Sequence, residues 1–347
     1  MSFLSSSVGD FFGLDIGTTA IRLVHVGPGT GVRPLLRYAY VPVDAKLSLS
    51  EAPADQQKIA DIIKSLVAKS GVTTKNVAVG LPSQKVFTTV VDIDRLNNEE
   101  LSKSIKYQAD SIIPTPLAES KIDWQVIGDS PVDKTKVEVL LSSVSNDYVE
   151  KKLDMLESIG LNVIAFEPDT LALMRALVSA DTLAPVLILD VGNLYTDLII
   201  VVDGSPRLTR SIPTGYEAII RAAAQNLNID ETQARQFVAK FGMSADKLEG
   251  QISRSISGII DTLMVEIEKS IKFFRSRYAT LALERIIVTG GASVLPEFPL
   301  FVANKLGVNV EIAYAWRNVA VNKERQNELL ILSNQFGVAV GLAERKA

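Results

Sequence analysis

Residues 11–26 read "FFGLDIGTTAIRLVHV" and residues 186–201 read "VLILDVGNLYTDLIIV". Each is an apolar run, an Asp-x-Gly, a few small or polar residues and a second apolar run. That pattern predicts two strands joined by a tight turn, with glycine supplying φ values that side chains avoid. The Ile, Leu and Val content predicts strands buried on both faces. The aspartates, Asp15 and Asp190, are the anomaly, because a carboxylate at the end of such a strand is costly to bury without a cation nearby. An aspartate can also sit there simply to bond its own turn backbone. One copy leaves those readings level. Two copies, half a chain apart, favour a shared task.

The bulk numbers set bounds on that task. A chain of 347 residues is long enough for about two domains. Its 47% hydrophobic content can fill a sizeable core, and 22% charged residues is ordinary for a soluble protein. A net charge of −4 with no long basic run argues against nucleic acid as a partner. The absence of cysteine excludes disulfides and thiolate metal sites. The single histidine, His25, lies between Val24 and Val26 and reads as a strand residue, so histidine triads and zinc sites are excluded. The start, "MSFLSSSVGDFF", lacks the basic and apolar regions of a signal peptide, and no apolar run is long enough to span a bilayer. The expectation is a cytoplasmic protein that meets a membrane through partners.

Outward from the first hairpin, "RPLLRYAYVPV" is a further strand. "DQQKIADIIKSLVAKSG" is a helix, with Ile59, Ile62, Ile63, Leu66 and Val67 at helical spacing and Gly71 as its stop. "NNEELSKSIKYQADSII" is a helix N-capped by Asn97 or Asn98 and ended by Pro114 and Pro116. Residues 77–165 read as a compact strand–helix–strand–strand–helix–strand unit set before the second hairpin. After that hairpin come two helices. A long amphipathic helix follows, with a core stripe of Ile260, Leu263, Ile267, Ile271 and Phe274. "ERIIVTGGASVLPEFPLFVANKLG" then reads strand, glycine turn, helix, and "QFGVAVGLAER" a last apolar helix packing back onto the body.

Asp-x-Gly turns suit a nucleotide because they present backbone N–H groups to phosphate oxygens. In the first, Gly17 with the small Thr18 and Thr19 lets phosphate approach; in the second, Gly192 and Asn193 take that place. Two such turns would pinch the phosphates, and Asp15 and Asp190 would hold a hydrated Mg²⁺, an ion that keeps several of its waters. The third turn, "VTGGAS" with Gly290, Gly291 and Ala292, is either a plain turn or a place where a base or its α-phosphate lies on bare backbone.

In that order, "LDIGTT", "EPDTLALMRAL", "LDVGNLYTD" and "VTGGAS" resemble the phosphate 1, connect 1, phosphate 2 and adenosine motifs of the actin-like ATPase superfamily. The stretch from "LPSQKVFTTVVDID" to "KIDWQVIG" resembles the 1C subdomain of the PilM family of type IV pilus assembly proteins. "LDMLESIGLNVIAFEPDTLALMRAL", "VEIEKSIKFFRSR" and "FGVAVGLAER" agree, so the resemblance spans essentially the whole chain. The related FtsA proteins share the layout but usually add a membrane-targeting helix after a linker, whereas this sequence stops at "GLAERKA".

The resemblance implies an α/β actin-like ATPase fold: two duplicated ribonuclease-H-like halves around a nucleotide cleft, with an inserted small α+β subdomain of the 1C or SHS2 type. It implies these divisions: 1–76 in the first half, 77–165 the inserted subdomain and 166–185 a connection back. Next come 186–212 in the second half, 213–284 a helical subdomain, 285–328 the second half with its adenosine motif, and 329–347 the C-terminal helix. It further implies ATP and Mg²⁺, adds Gly215 to the nucleotide contacts, and matches Glu167 to the acid that orients water in some relatives. Glu167 could equally be a structural acid before Pro168. The implied partner is the N-terminal cytoplasmic tail of a PilN-like inner-membrane protein, joined by other pilus alignment or motor components and by self-association. The tail would lie in a groove floored by residues such as Val86, Ile112 and Ile113, and the protein would sit peripherally at the inner membrane. Three positions depart from the pattern. Arg235 and Val238 stand where an acid and a lysine would grip ribose, and Leu194 is larger than the turn residue expected. The reading is an ATP-binding adaptor with weak or absent ATPase activity. The competing readings are an FtsA-like filament-forming cell-division ATPase and a sugar-kinase-type enzyme, and the latter has no visible sugar pocket.

Overall fold

The computed structural model describes residues 9–29 and 31–346. Residues 1–8, which carry most of the stretch that lacks a signal peptide, lie outside the described residues. The chain divides into two compact units, Met1–Ala176 with Ala315–Leu329 and Phe336–Ala347, and Leu177–Tyr314 with Leu330–Gln335. Among the described residues no helix is long and apolar enough to cross a membrane.

The first unit opens with β1 (Phe12–Ile16), β2 (Ala20–Val26) and β3 (Arg33–Pro42), an antiparallel meander. There follow α1 (Ala45–Leu49), α2 (Pro53–Ser70) and β4 (Asn76–Leu81), then β5 (Val86–Asp94) and α3 (Asn98–Ile112). After β6 (Ser120–Asp129), β7 (Lys136–Ser145) and α4 (Asn146–Ser158) come β8 (Asn162–Pro168) and α5 (Asp169–Leu177). Local chemistry sets several of these bounds. Pro53 starts α2 and Gly71, with φ 75°, ends it. The Asn97 side chain accepts from the N–H groups of Glu99 and Glu100 and so caps α3. β4 and β8 run parallel beside β1, reached through helical crossovers.

The inserted unit is smaller than residues 77–165. β4 and β8 belong to the large sheet, and α4 buries Val149, Met155 and Leu156 in the core beneath it. The separate sheet is β5–β7–β6, whose core of Ile93, Leu101, Ile105, Ala109, Ile113, Val137, Val139 and Leu141 includes one face of α3. The reason lies in β4, "NVAVGL", which is buried from Val77 to Leu81 without alternation, the mark of an interior parallel strand.

The second unit contains β9 (Val186–Val191), β10 (Thr196–Val202), β11 (Ser205–Ile212), α6 (Tyr216–Leu227) and α7 (Glu231–Phe241). It continues with α8 (Gln251–Arg277), β12 (Arg285–Thr289), α9 (Phe298–Leu306) and β13 (Asn309–Ile312). The predicted stripe of α8 is buried at all five positions. Its sheet runs β11-β10-β9-β12-β13, and the first runs β3-β2-β1-β4-β8 with β14 (Val319–Ala320) added outside β3. The two orders are the same, and so are the senses of pairing. Even the irregularity is repeated: the second hairpin strand slips register at His25/Val26 and at Ile200/Val201, each ten residues past its turn aspartate. The repeated sentence is therefore a repeated sheet.

The chain returns to the first unit with Ala315–Leu329, which carries β14 and the start of α10 (Gln326–Leu332), and with Phe336–Ala347, which carries α11 (Gly337–Ala343). α11 lies on β1, β2 and β4 so closely that a Cβ on Gly13 would stand 2.5 Å from the Ala339 carbonyl oxygen. On its other side a Cβ on Gly341 would overlap the Ala172 carbonyl of α5. Both contacts need glycine.

Candidate functional site

In the first unit the turn after β1 is closed by the Gly17 N–H donating to the Ala20 carbonyl at 3.1 Å. The Gly17 carbonyl is itself taken, by the Ser48 hydroxyl of α1 at 2.9 Å. A trans peptide aims its C=O and the next N–H in opposite directions. With the Gly17 carbonyl turned to Ser48, the Thr18 N–H is turned the other way, beside the half-buried Thr18 side chain. Asp15 is 7% exposed, and burial raises its carboxyl pKa against the pull of Arg22, whose guanidinium donates to it at 3.3 Å. His25 bonds Asp10 at 2.7 Å from within the strand.

In the second unit the Gly192 N–H donates to the Tyr195 carbonyl at 3.0 Å, the counterpart of the first turn. Here the first turn of α6 does what Ser48 does. Tyr216 N–H donates to the Gly192 carbonyl and Glu217 N–H to the Asn193 carbonyl, both at 2.9 Å. The N–H groups of Asn193 and Leu194 are thereby turned away from α6. Gly215 permits this approach, since a Cβ there would be 2.6 Å from the Asn193 carbonyl oxygen. Gly290, at φ 81°, lies against the Asp190 carboxylate and the Val191 carbonyl, closer than any side chain could. Asp190, Gly192, Asn193, Gly215 and Gly290 thus form one cluster within this unit.

Other predicted residues divide. Gly291 has no atom within 4 Å of an added Cβ, whereas Ala292 is fully buried in the unit's core. Val238 is also core, so it cannot reach a ribose; Arg235 pairs with both oxygens of Glu217, at 3.0 and 2.8 Å. Glu167 is 1% exposed and held by Arg175 through both of its oxygens, with the Arg345 guanidinium 3.8 Å away. Val86 packs in the core under the large sheet, while Ile113 and the half-buried Ile112 pack in that of the small sheet. These three do not share one apolar floor.

Three residues escaped the reading of the sequence. Asn334 fixes the third turn: its carbonyl accepts from Gly290 N–H at 2.9 Å and Thr289 Oγ1 at 3.0 Å, and its amide donates to the Gly290 carbonyl at 3.1 Å. Arg22 and Asp197 are the others, each seven residues past its turn aspartate and directly across the ladder from it. Laying one copy of the repeat over the other would have found both. Among the described residues no cluster of three or more acids and histidines could hold a metal by itself. A metal here would keep waters and take oxygens from a phosphate, which suits Mg²⁺.

Two sheets of one strand order, each opening on an Asp-x-Gly hairpin with its turn carbonyls held from behind, define a protein of the actin-like ATPase fold. Solved structures agree. The chain aligns with the one described as the PilM-PilN type IV pilus biogenesis complex at TM-score 0.82 and 24% identity, over 96% of this chain and 98% of that one. It aligns with the ethanolamine utilization protein EutJ from Carboxydothermus hydrogenoformans at TM-score 0.57 and 17% identity, over 98% and 92%. With MreB5 of Spiroplasma citri bound to AMPPNP the values are 0.54 and 12%, over 97% and 95%. The family described as type IV pilus assembly protein PilM matches residues 13–347. The chain belongs to the PilM family.

Proposed function

We propose that this protein is an ATP-binding adaptor of type IV pilus assembly, or of a related secretion or DNA-uptake machine. The observation that carries the nucleotide part is the orientation of the turn peptides. Ser48 in one unit, and Tyr216 and Glu217 in the other, hold the carbonyl oxygens back, so the N–H ends of those peptides face away from α1 and α6. Backbone donors arranged so favour phosphate. Phosphate oxygens would be taken by the Thr18, Asn193 and Leu194 N–H groups, and the bare backbone of Gly291 would leave room for the base or the α-phosphate. Asp190 would offer its carboxylate to the water shell of Mg²⁺, which would supply charge neutralisation of the phosphates. Arg235 and Glu217, rather than the residues the superfamily pattern would put there, are the polar pair near the Asn193 turn.

Bound nucleotide would favour one conformation, and that conformation would take the short cytoplasmic tail of a PilN-like membrane protein. Such a tail can dock by main-chain hydrogen bonds on an open strand edge, and β5 and β6 are both edges of the small sheet. The protein would thus be held at the inner membrane by its partner. Two measurements test the reading. Nucleotide released from freshly purified protein is identified by mass spectrometry, and Mg-ATP binding is measured by calorimetry. Absence of nucleotide together with no binding heat would sink it.

A further inference from the structure

The two hairpins share their strand pairing and their turn bond but differ in what faces the turn aspartate. Across the ladder from the turn aspartate stands Arg22 in the first and Asp197 in the second. Arg22 is 8% exposed. Its Nη1 donates to Asp15 Oδ2 and to the Ala20 carbonyl, both at 3.3 Å, and its Nη2 to Thr19 Oγ1 at 3.4 Å. All three bonds are long; a charge-assisted guanidinium–carboxylate bond is normally about 2.8 Å. A further donor, Nε–H, is buried without a partner, the kind of orphan that a native fold rarely keeps without a use. Gly17 faces the same group, since a Cβ there would come within 3.2 Å of Nη1.

A buried, loosely bonded cation therefore sits among Asp15, Gly17 and Thr19, the residues read as the first phosphate turn. A carboxylate in this position needs a compensating charge. Arg22 supplies it from within the chain, before any ion arrives. A divalent cation drawn to the same carboxylate would meet a guanidinium already in place, and like charges at a few ångströms repel. We propose that Arg22 takes the place of a divalent cation at Asp15 and donates to the phosphates of the bound nucleotide, so that binding depends less on Mg²⁺ than a clamp of two metal-serving aspartates would. This rests on the nucleotide reading given above.

The experiment is calorimetric titration with ATP in excess MgCl₂ and again in EDTA, scored as the ratio of the two dissociation constants. For the wild type the ratio should stay below about tenfold. Arg22→Gln should raise it by about tenfold or more, and Arg22→Lys, which keeps the charge, should hold it within about threefold of wild type. Circular dichroism establishes that each variant is folded. If Arg22→Gln does not fold, the double variant Asp15→Asn/Arg22→Gln, which buries no lone charge, takes its place and should also show the raised ratio. A folded variant without Arg22 whose ratio equals or falls below that of wild type overturns the proposal. If wild type gives no binding heat even in MgCl₂, the nucleotide reading itself has failed, and this inference with it.

Discussion

Gly291 and Glu167 make opposite demands on a mutation. At Gly291 no protein atom waits for a side chain, so Gly291→Val should fold with a melting temperature close to wild type and lose ATP binding by tenfold or more, about 1.4 kcal/mol. Normal ATP binding by a folded variant would reduce the third turn to a turn. At Glu167 the cost falls on the fold. Removing this acid strands Arg175 and Arg345, and breaking a buried ion pair from one side costs about 3 kcal/mol. Urea denaturation of Glu167→Ala should show a loss of that order, with any slow ATP turnover per folded molecule unchanged. Turnover abolished at unchanged stability would restore the water-orienting role. Both aspartates of the repeat were legible, because acids at strand ends are out of place. Arg22 was not: a lone arginine in "AIRLVHV" looks like an outward-facing strand residue until the ladder sets it opposite Asp15. The partners of Glu167 come from positions 175 and 345, which no spacing rule connects.

At the level of elements, α11 is the exacting one. Its contact through Gly341 leaves no room for a side chain beside Ala172, and overpacking of this kind costs roughly 1–3 kcal/mol. Gly341→Val should therefore loosen α11, seen as earlier cleavage near the C-terminus in limited proteolysis. Cleavage at the wild-type rate would mean that the helix accommodates elsewhere. The same helix ends in an acid with a pH signature. Burial pushes the Glu344 carboxyl up to about 7, against the pull of Asn318 and of Arg175, Arg33 and Arg317. Because its folded value lies above the ordinary 4.5, the neutral form is the one the fold favours. Its contribution is full below the ordinary value and is lost as pH rises through the folded one. Denaturation from pH 5 to 8 should show stability falling by at most about 1.4 kcal/mol per unit relative to Glu344→Gln; parallel profiles would contradict it. Capped helices such as α2 and α3 could be read from the sequence almost to the residue, and α8 by its stripe though not by its start, where no side chain caps it. The extent of the inserted unit could not, because whether β4 pairs with β5 or with β1 depends on a partner far along the chain.

For the whole molecule the test of the proposed function is turnover. An adaptor should turn over far more slowly than the ~10 s⁻¹ usual for an enzyme, with or without a PilN-like peptide. Brisk intrinsic hydrolysis, followed by phosphate release, would move the protein to the enzymes. Tail binding is tested by Ile112→Asp. The small sheet has a core of its own, so this change should weaken a tail peptide bound there while the large sheet keeps its circular dichroism. Equal affinity in the folded variant would place the tail elsewhere. The duplicated architecture was legible from two sixteen-residue phrases because repetition survives where pairwise contact does not show. The join between sheet and insertion was not legible, for that contact leaves no periodicity behind.

The return of the chain to its first unit has a consequence in time. A ribosome delivers residues 177–314, most of the second unit, in one stretch and adds Leu330–Gln335 to it later, whereas the unit begun earlier still lacks β14 and α11. At roughly 5–20 residues per second, those pieces follow after about 2–6 seconds. For that interval the nascent β1, β2 and β4 expose the face that α11 will cover. Birth order and folding order are therefore reversed: of the two units, the one begun first is the one finished last. Chaperones binding this protein during synthesis should be found on its N-terminal sheet.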